Sequence, residues 1–147
     1  MFGVKPRQQE GDPRVAQALR ELEINFEVCD DGDYSFGFNL GDGRSQMGFI
    51  RSATYDFCGV ELREVLSAGL RSMGPFDART CNLLLRQNAD VKVGSWSIVS
   101  DAEDNHLAIF SAKVSADLRG EALLGVIAGV LKTADEMEAR LAGRDDF

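Results

Sequence analysis

With 147 residues the chain fits one domain, long enough to bury roughly two thirds of the surface its unfolded form exposes. Its 44% apolar and 27% charged residues are ordinary for a globular protein, and twenty-four acids against sixteen bases give a net charge of −8. That charge repels phosphate backbones and anionic membrane surfaces; Lys5 with Arg7 and Arg14 is the nearest thing to a basic patch, so no nucleic-acid and no membrane partner is expected.

Residues 1–11 read as a flexible polar lead-in without an apolar run long enough for a secretory signal. Asp12 before Pro13 predicts a helix start, with Val15, Ala18, Leu19 and Leu22 at helical spacing. The period then changes to two, and Ile24, Phe26 and Val28 predict a half-buried strand. After the turn Asp30-Asp31-Gly32-Asp33 a second strand carries Tyr34, Phe36, Phe38 and Leu40 on one face; the aromatic row is expected as core beneath the helices, the alternative being an exposed platform for a partner segment if the helices cover only the other face. Gly41-Asp42-Gly43 turns again into a third strand, from Arg44 to about Phe57, which closes an antiparallel meander.

Val60, Leu62, Val65, Leu66, Leu70 and Met73 recur at threes and fours and predict a helical stretch that Gly74-Pro75 stops. Asp77 caps a further short helix holding Ala78, Cys81, Leu84 and Leu85 and ending near Asn88. Val91 to Ser100, with Trp96 and Ile98, and His106 to Ser115 predict two strands joined by the turn Asp101 to Asn105. Asp117 caps a last helix from Leu118 to about Leu141. These elements predict an α+β fold: one antiparallel sheet of about five strands with helices packed on one face, in the order α-β-β-β-α-β-β-α. A single domain spans residues 12–143, followed by an acidic tail over 144–147.

No residues assemble a recognisable catalytic frame. The one histidine, His106, sits beside Asp104 and Asn105 and is expected as a solvated strand-end residue; Gly94-Ser95-Trp96-Ser97 lacks the GxSxG of a nucleophile elbow. The Asp-rich turns have neither the length nor the register of a calcium loop, and Asp, Asn and Gly favour tight turns for local backbone reasons. Gly41, Gly43 and Gly48 make no phosphate-cradling loop. Cys29, Cys58 and Cys81 are far apart, form no metal-ligand pair, and are expected as small buried side chains in a reducing compartment, the cytoplasm. The expectation is no catalytic residue, no metal and no cofactor.

The most informative stretch is ALLGVIAGVL, Ala122 to Leu131, ten residues without a charge or a hydrogen-bonding side chain, about half the ~20 a membrane span needs. As a helix it is apolar all round, whereas downstream only Ala134, Met137 and Leu141 continue the stripe of Leu123, Ile127 and Val130. One face therefore lies on the protein's own core, and Leu124, Gly125, Ala128 and Gly129 call for a second cover. Gly125 and Gly129 each cost a helix interior about 1 kcal/mol relative to alanine. A close approach by the first helix or by residues 60–73 would account for them, as would a contact with a partner or a dimer mate; chance is the third reading.

Leu84 and Asn88 before a strand, Gly94 and Trp96 within it, an acidic turn, an apolar strand and a long terminal helix carrying Ala134-Asp135 resemble the second half of YbjN-type domains. These are related in fold to type III secretion chaperones, and the meander fits the first half, so that the likeness covers residues 13–142. It has no active-site motif to carry over. It implies a small, acidic bacterial domain, usually dimeric, that serves as a binding or chaperone-like module; such proteins are labelled sensory transduction regulators. The resemblance thus implies a homodimer with one unknown protein partner, and a dedicated type III secretion chaperone binding an effector segment is the alternative.

Overall fold

The computed structural model describes residues 10–142; the residues before Glu10, Gly143 and the acidic tail lie outside the described residues. Helix α1 (Pro13–Glu21) starts where the Asp12-Pro13 pair predicts: the Asp12 carboxylate accepts from the Arg14 N–H at 3.0 Å, and Val15, Ala16, Ala18 and Leu19 are buried. The strands β1 (Glu27–Val28), β2 (Tyr34–Gly41), β3 (Arg44–Ile50), β4 (Tyr55–Phe57) and β5 (Val60–Met73) come next in the chain. After them stand α2 (Ala78–Asp90), β6 (Ser95–Ser100), β7 (Asn105–Ser115) and α3 (Gly120–Ala142). Asp77 caps α2 as the sequence indicates, accepting from the Thr80 N–H at 2.7 Å.

All seven strands join one antiparallel sheet in the order β1-β2-β3-β5-β7-β6, with β4 pairing β5 beside that path. The α+β class and the single sheet under helices stand; the strand count rises from about five to seven. Strand pairing gives the sheet a front and a back. Phe36 lies opposite Gly48, Ile50 opposite Val65 and Trp96 opposite Phe110, all on the front, where the helices pack. The aromatic row Tyr34, Phe36 and Phe38 joins this core, as does the α3 stripe Leu123, Ile127, Val130, Ala134, Met137 and Leu141. A β-carbon on Gly48 would stand 2.5 Å from the Phe36 ring, so the two hairpin strands interlock through a glycine.

Several expectations are corrected. Residues 60–73 are not helical but form the long central strand β5. Its front row includes the buried polar residues Arg63 and Ser67, its back row includes Leu62, Leu66 and Ala68, and a bulge between Ala68 and Leu70 shifts the register. Apolar residues on both faces and a slipped register imitate helical spacing. The third strand breaks after Ile50, and its last part becomes β4, which pairs with β5 rather than extending β3. The first strand shrinks to Glu27–Val28.

Helix α3 begins at Gly120, whose φ of 68° is left-handed, so Asp117 is not its cap; the Asp117 carboxylate takes the Arg14 guanidinium at 3.0 Å instead. Of the three cysteines none is buried, and Cys58 is exposed at the β4–β5 turn.

Candidate interaction surfaces

The residues weighed for chemistry are not brought together. His106 Nε2 lies 3.0 Å from Asp104 Oδ1, at the turn where β7 begins, with the edge of Phe76 beside the ring. Asp101 Oδ1 accepts the backbone N–H groups of Glu103 and Asn105, and the Asn105 side-chain amide with them holds its carboxyl below the usual range. Asp31 likewise accepts from the Asp33 N–H. These carboxylates close their own turns. Among the described residues no three His, Cys, Asp or Glu side chains are placed to hold a metal ion, and no buried side-chain nitrogen or oxygen lacks a hydrogen-bond partner.

A buried arginine fixes the region from which the β4–β5 hairpin projects. Arg63, 3% exposed, donates to Asp12 Oδ2 at 2.6 Å, to the Ala116 carbonyl at 3.2 Å, and to the Arg51 and Ser52 carbonyls at 3.1 and 3.3 Å. Arg14 completes the cluster with ion pairs to Asp12, Glu61 and Asp117. Hydrogen bonds from Arg14, and then from Arg63, hold the Asp12 carboxyl well below the usual carboxylate range against an opposing push from burial. Glu61 is lowered to about 2, chiefly by its hydrogen bond with Arg14. The side chains thus tie the start of α1, the 51–52 segment, β5 and the end of β7 together.

The sequence-predicted strip on α3 is bare. Gly125 and Gly129 are exposed, and a β-carbon on either would meet nothing within 4 Å; Leu124 is exposed and Ala128 half-buried. Neither α1 nor residues 60–73 approach these glycines, which corrects the reading that the chain itself covers them. Gly125 and Gly129 line an open groove of about 550 Å³, together with Ala122, Val126 and Val130 of α3 and Asp90, Val91, Lys92 and Val93 at the end of α2.

The second bare surface was not located by the sequence. Front-facing residues of the sheet make up the core, whereas the back carries a second apolar set outside it: Leu66 and Ile109 as a floor, and Met47 (51% exposed), Phe57 (66%), Val60 (50%) and Val99 standing out. The charges that the pairing places there are Arg51, Arg71 and Lys113 against Glu27 and Glu64, with Glu64 opposite Lys113 and 3.9 Å from Arg51. The signal for this face was present in the alternation of Tyr55 and Phe57 with Val60 and Leu62, but it became visible only once residues 60–73 were a strand.

The outer edge of β6 is capped at one residue, Trp96, by a side chain. Asn88 of α2 accepts from the Trp96 N–H at 2.7 Å and donates to the Trp96 carbonyl at 3.3 Å, in place of a neighbouring strand. No family model, no curated protein and no solved structure matches the chain. No helix among the described residues is long and apolar enough to cross a membrane.

Proposed function

We propose that the chain is a non-catalytic, homodimeric protein-binding module of YbjN type that works in the cytoplasm. One observation carries this reading: the fold leaves two apolar surfaces uncovered on opposite sides of the sheet, the α3 strip with its groove in front and the Met47, Phe57 and Val60 face behind. Exposed apolar area of this kind marks contact surfaces in globular proteins. Two of them allow a twin on one side and a different protein on the other. Asp101 and the His106–Asp104 pair, weighed for chemistry in the sequence, are engaged within their own turn.

The test combines mass and capture. Light scattering after size exclusion should give a dimer at micromolar concentration. Gly129→Leu fills the groove and should reduce the partners that the tagged protein retains, while His106→Ala, Cys58→Ser and Asp101→Asn should retain them at wild-type level. A monomer whose captured partners are insensitive to Gly129→Leu overturns the reading.

A further inference from the structure

We infer that two copies of this chain meet through the back of the sheet, leaving the α3 strip outside that contact. This rests on the dimer reading and adds the surface. Size favours the sheet. Strands ~4.8 Å apart and rising ~3.3 Å per residue give five strands as long as these a face of roughly 700 Å² in projection, close to the ~800 Å² per partner of a standard specific interface. The α3 groove is bounded by two segments only, one face of α3 and residues 90–93 at the end of α2, and is narrower than the sheet face.

Charge favours it as well. Two chains of net charge −8 repel, so they meet where the acid surplus is locally absent. The back of the sheet is such a place, with three bases against two acids. Both signs are present on one face, so a two-fold axis can set Lys113 or Arg71 of one copy near the acids of its twin. Two sheets packed back to back, ~10 Å apart, bury Met47, Phe57 and Val60 between them.

Phe57→Asp on β4 and Met47→Asp on β3 test this, since both side chains are mostly exposed in the single copy and the folding core does not use them. Circular dichroism should be unchanged. Each variant should weaken dimerisation by roughly 30-fold or more, the size of an interface hot spot, whereas Gly125→Leu should leave the mass alone. Hydrogen exchange on the unaltered chain gives a second readout: protection of β4 and its turn at Cys58-Gly59 should rise with protein concentration while residues 122–129 stay constant. A dimer indifferent to both Asp variants, or broken by Gly125→Leu alone, overturns this surface and leaves the binding reading intact. A chain that is monomeric at every concentration overturns the dimer itself.

Discussion

Arg63→Met removes five N–H donors while keeping the unbranched apolar stem of the side chain, at a position 3% exposed. The carbonyls of Arg51, Ser52 and Ala116 lose a charged donor, and Asp12 keeps only Arg14. Breaking a buried ion pair costs about 3–5 kcal/mol, and the surviving Arg14 contact puts this case at the lower end, about 3 kcal/mol. That is a large part of the 5–15 kcal/mol by which a domain is stable. With an m value of ~2 kcal/mol/M the urea midpoint should fall by ~1.5 M, measured at pH 7 and at one fixed low protein concentration. Asp12→Asn in the same background should be non-additive by at least ~0.5 kcal/mol, because the two side chains share one contact. A midpoint loss equivalent to under ~1 kcal/mol, or strict additivity with Asp12→Asn, would refute the view that this cluster holds the β5 region in place.

Acid should act through the same cluster. Asp12 and Glu61 have folded-state pKa values below their ordinary ones, with Glu61 at about 2. Their stabilisation is therefore complete above about pH 5 and is lost as pH falls through the carboxylate range toward those values; Asp12→Asn should flatten the pH dependence of the urea midpoint between about pH 5 and 2. Gly69→Ala places a β-carbon 2.5 Å from the Trp96 ring, and the cost of overpacking, about 1–3 kcal/mol, should appear as a lower Tm and a shifted emission of the single tryptophan. An unchanged spectrum would mean that the ring does not occupy this space. Gly125→Ala meets open space inside a helix and should raise stability by roughly 1 kcal/mol in thermal unfolding; a loss would show that something already covers the site.

How much of this was legible in the sequence depended on whether one face of an element was uniformly apolar. The α3 stripe from Leu123 to Leu141 and the row Tyr34, Phe36 and Phe38 each face one core, and their periodicity reads directly. Asp12 and Asp77 announce α1 and α2 because a cap is a local interaction. Strand β5 defeats the same reasoning: its buried row holds Arg63 and Ser67, whose partners lie 11 to 53 residues away, and the bulge by Gly69 breaks the alternation. The bareness of Gly125 and Gly129 could be posed from sequence but not decided, since it depends on where α1 and α2 finally lie. Asn88 as a stand-in for a strand neighbour is likewise a tertiary fact.

The two bare surfaces have a common origin in the layering. Strand β5 carries apolar residues on both faces, Val65 and Leu70 in front and Leu62 and Leu66 behind, yet the three helices of the described residues all pack on the front. Leu66 and Ile109, nearly buried but outside the core, line a floor without a roof. On the other side α3 turns its long apolar stripe inward and its glycines outward, where alanine would serve an isolated helix better. Both features are unfavourable in a lone chain and favourable in an assembly. A second layer over the sheet and a close neighbour along Gly125 and Gly129 would complete the packing that the sequence begins.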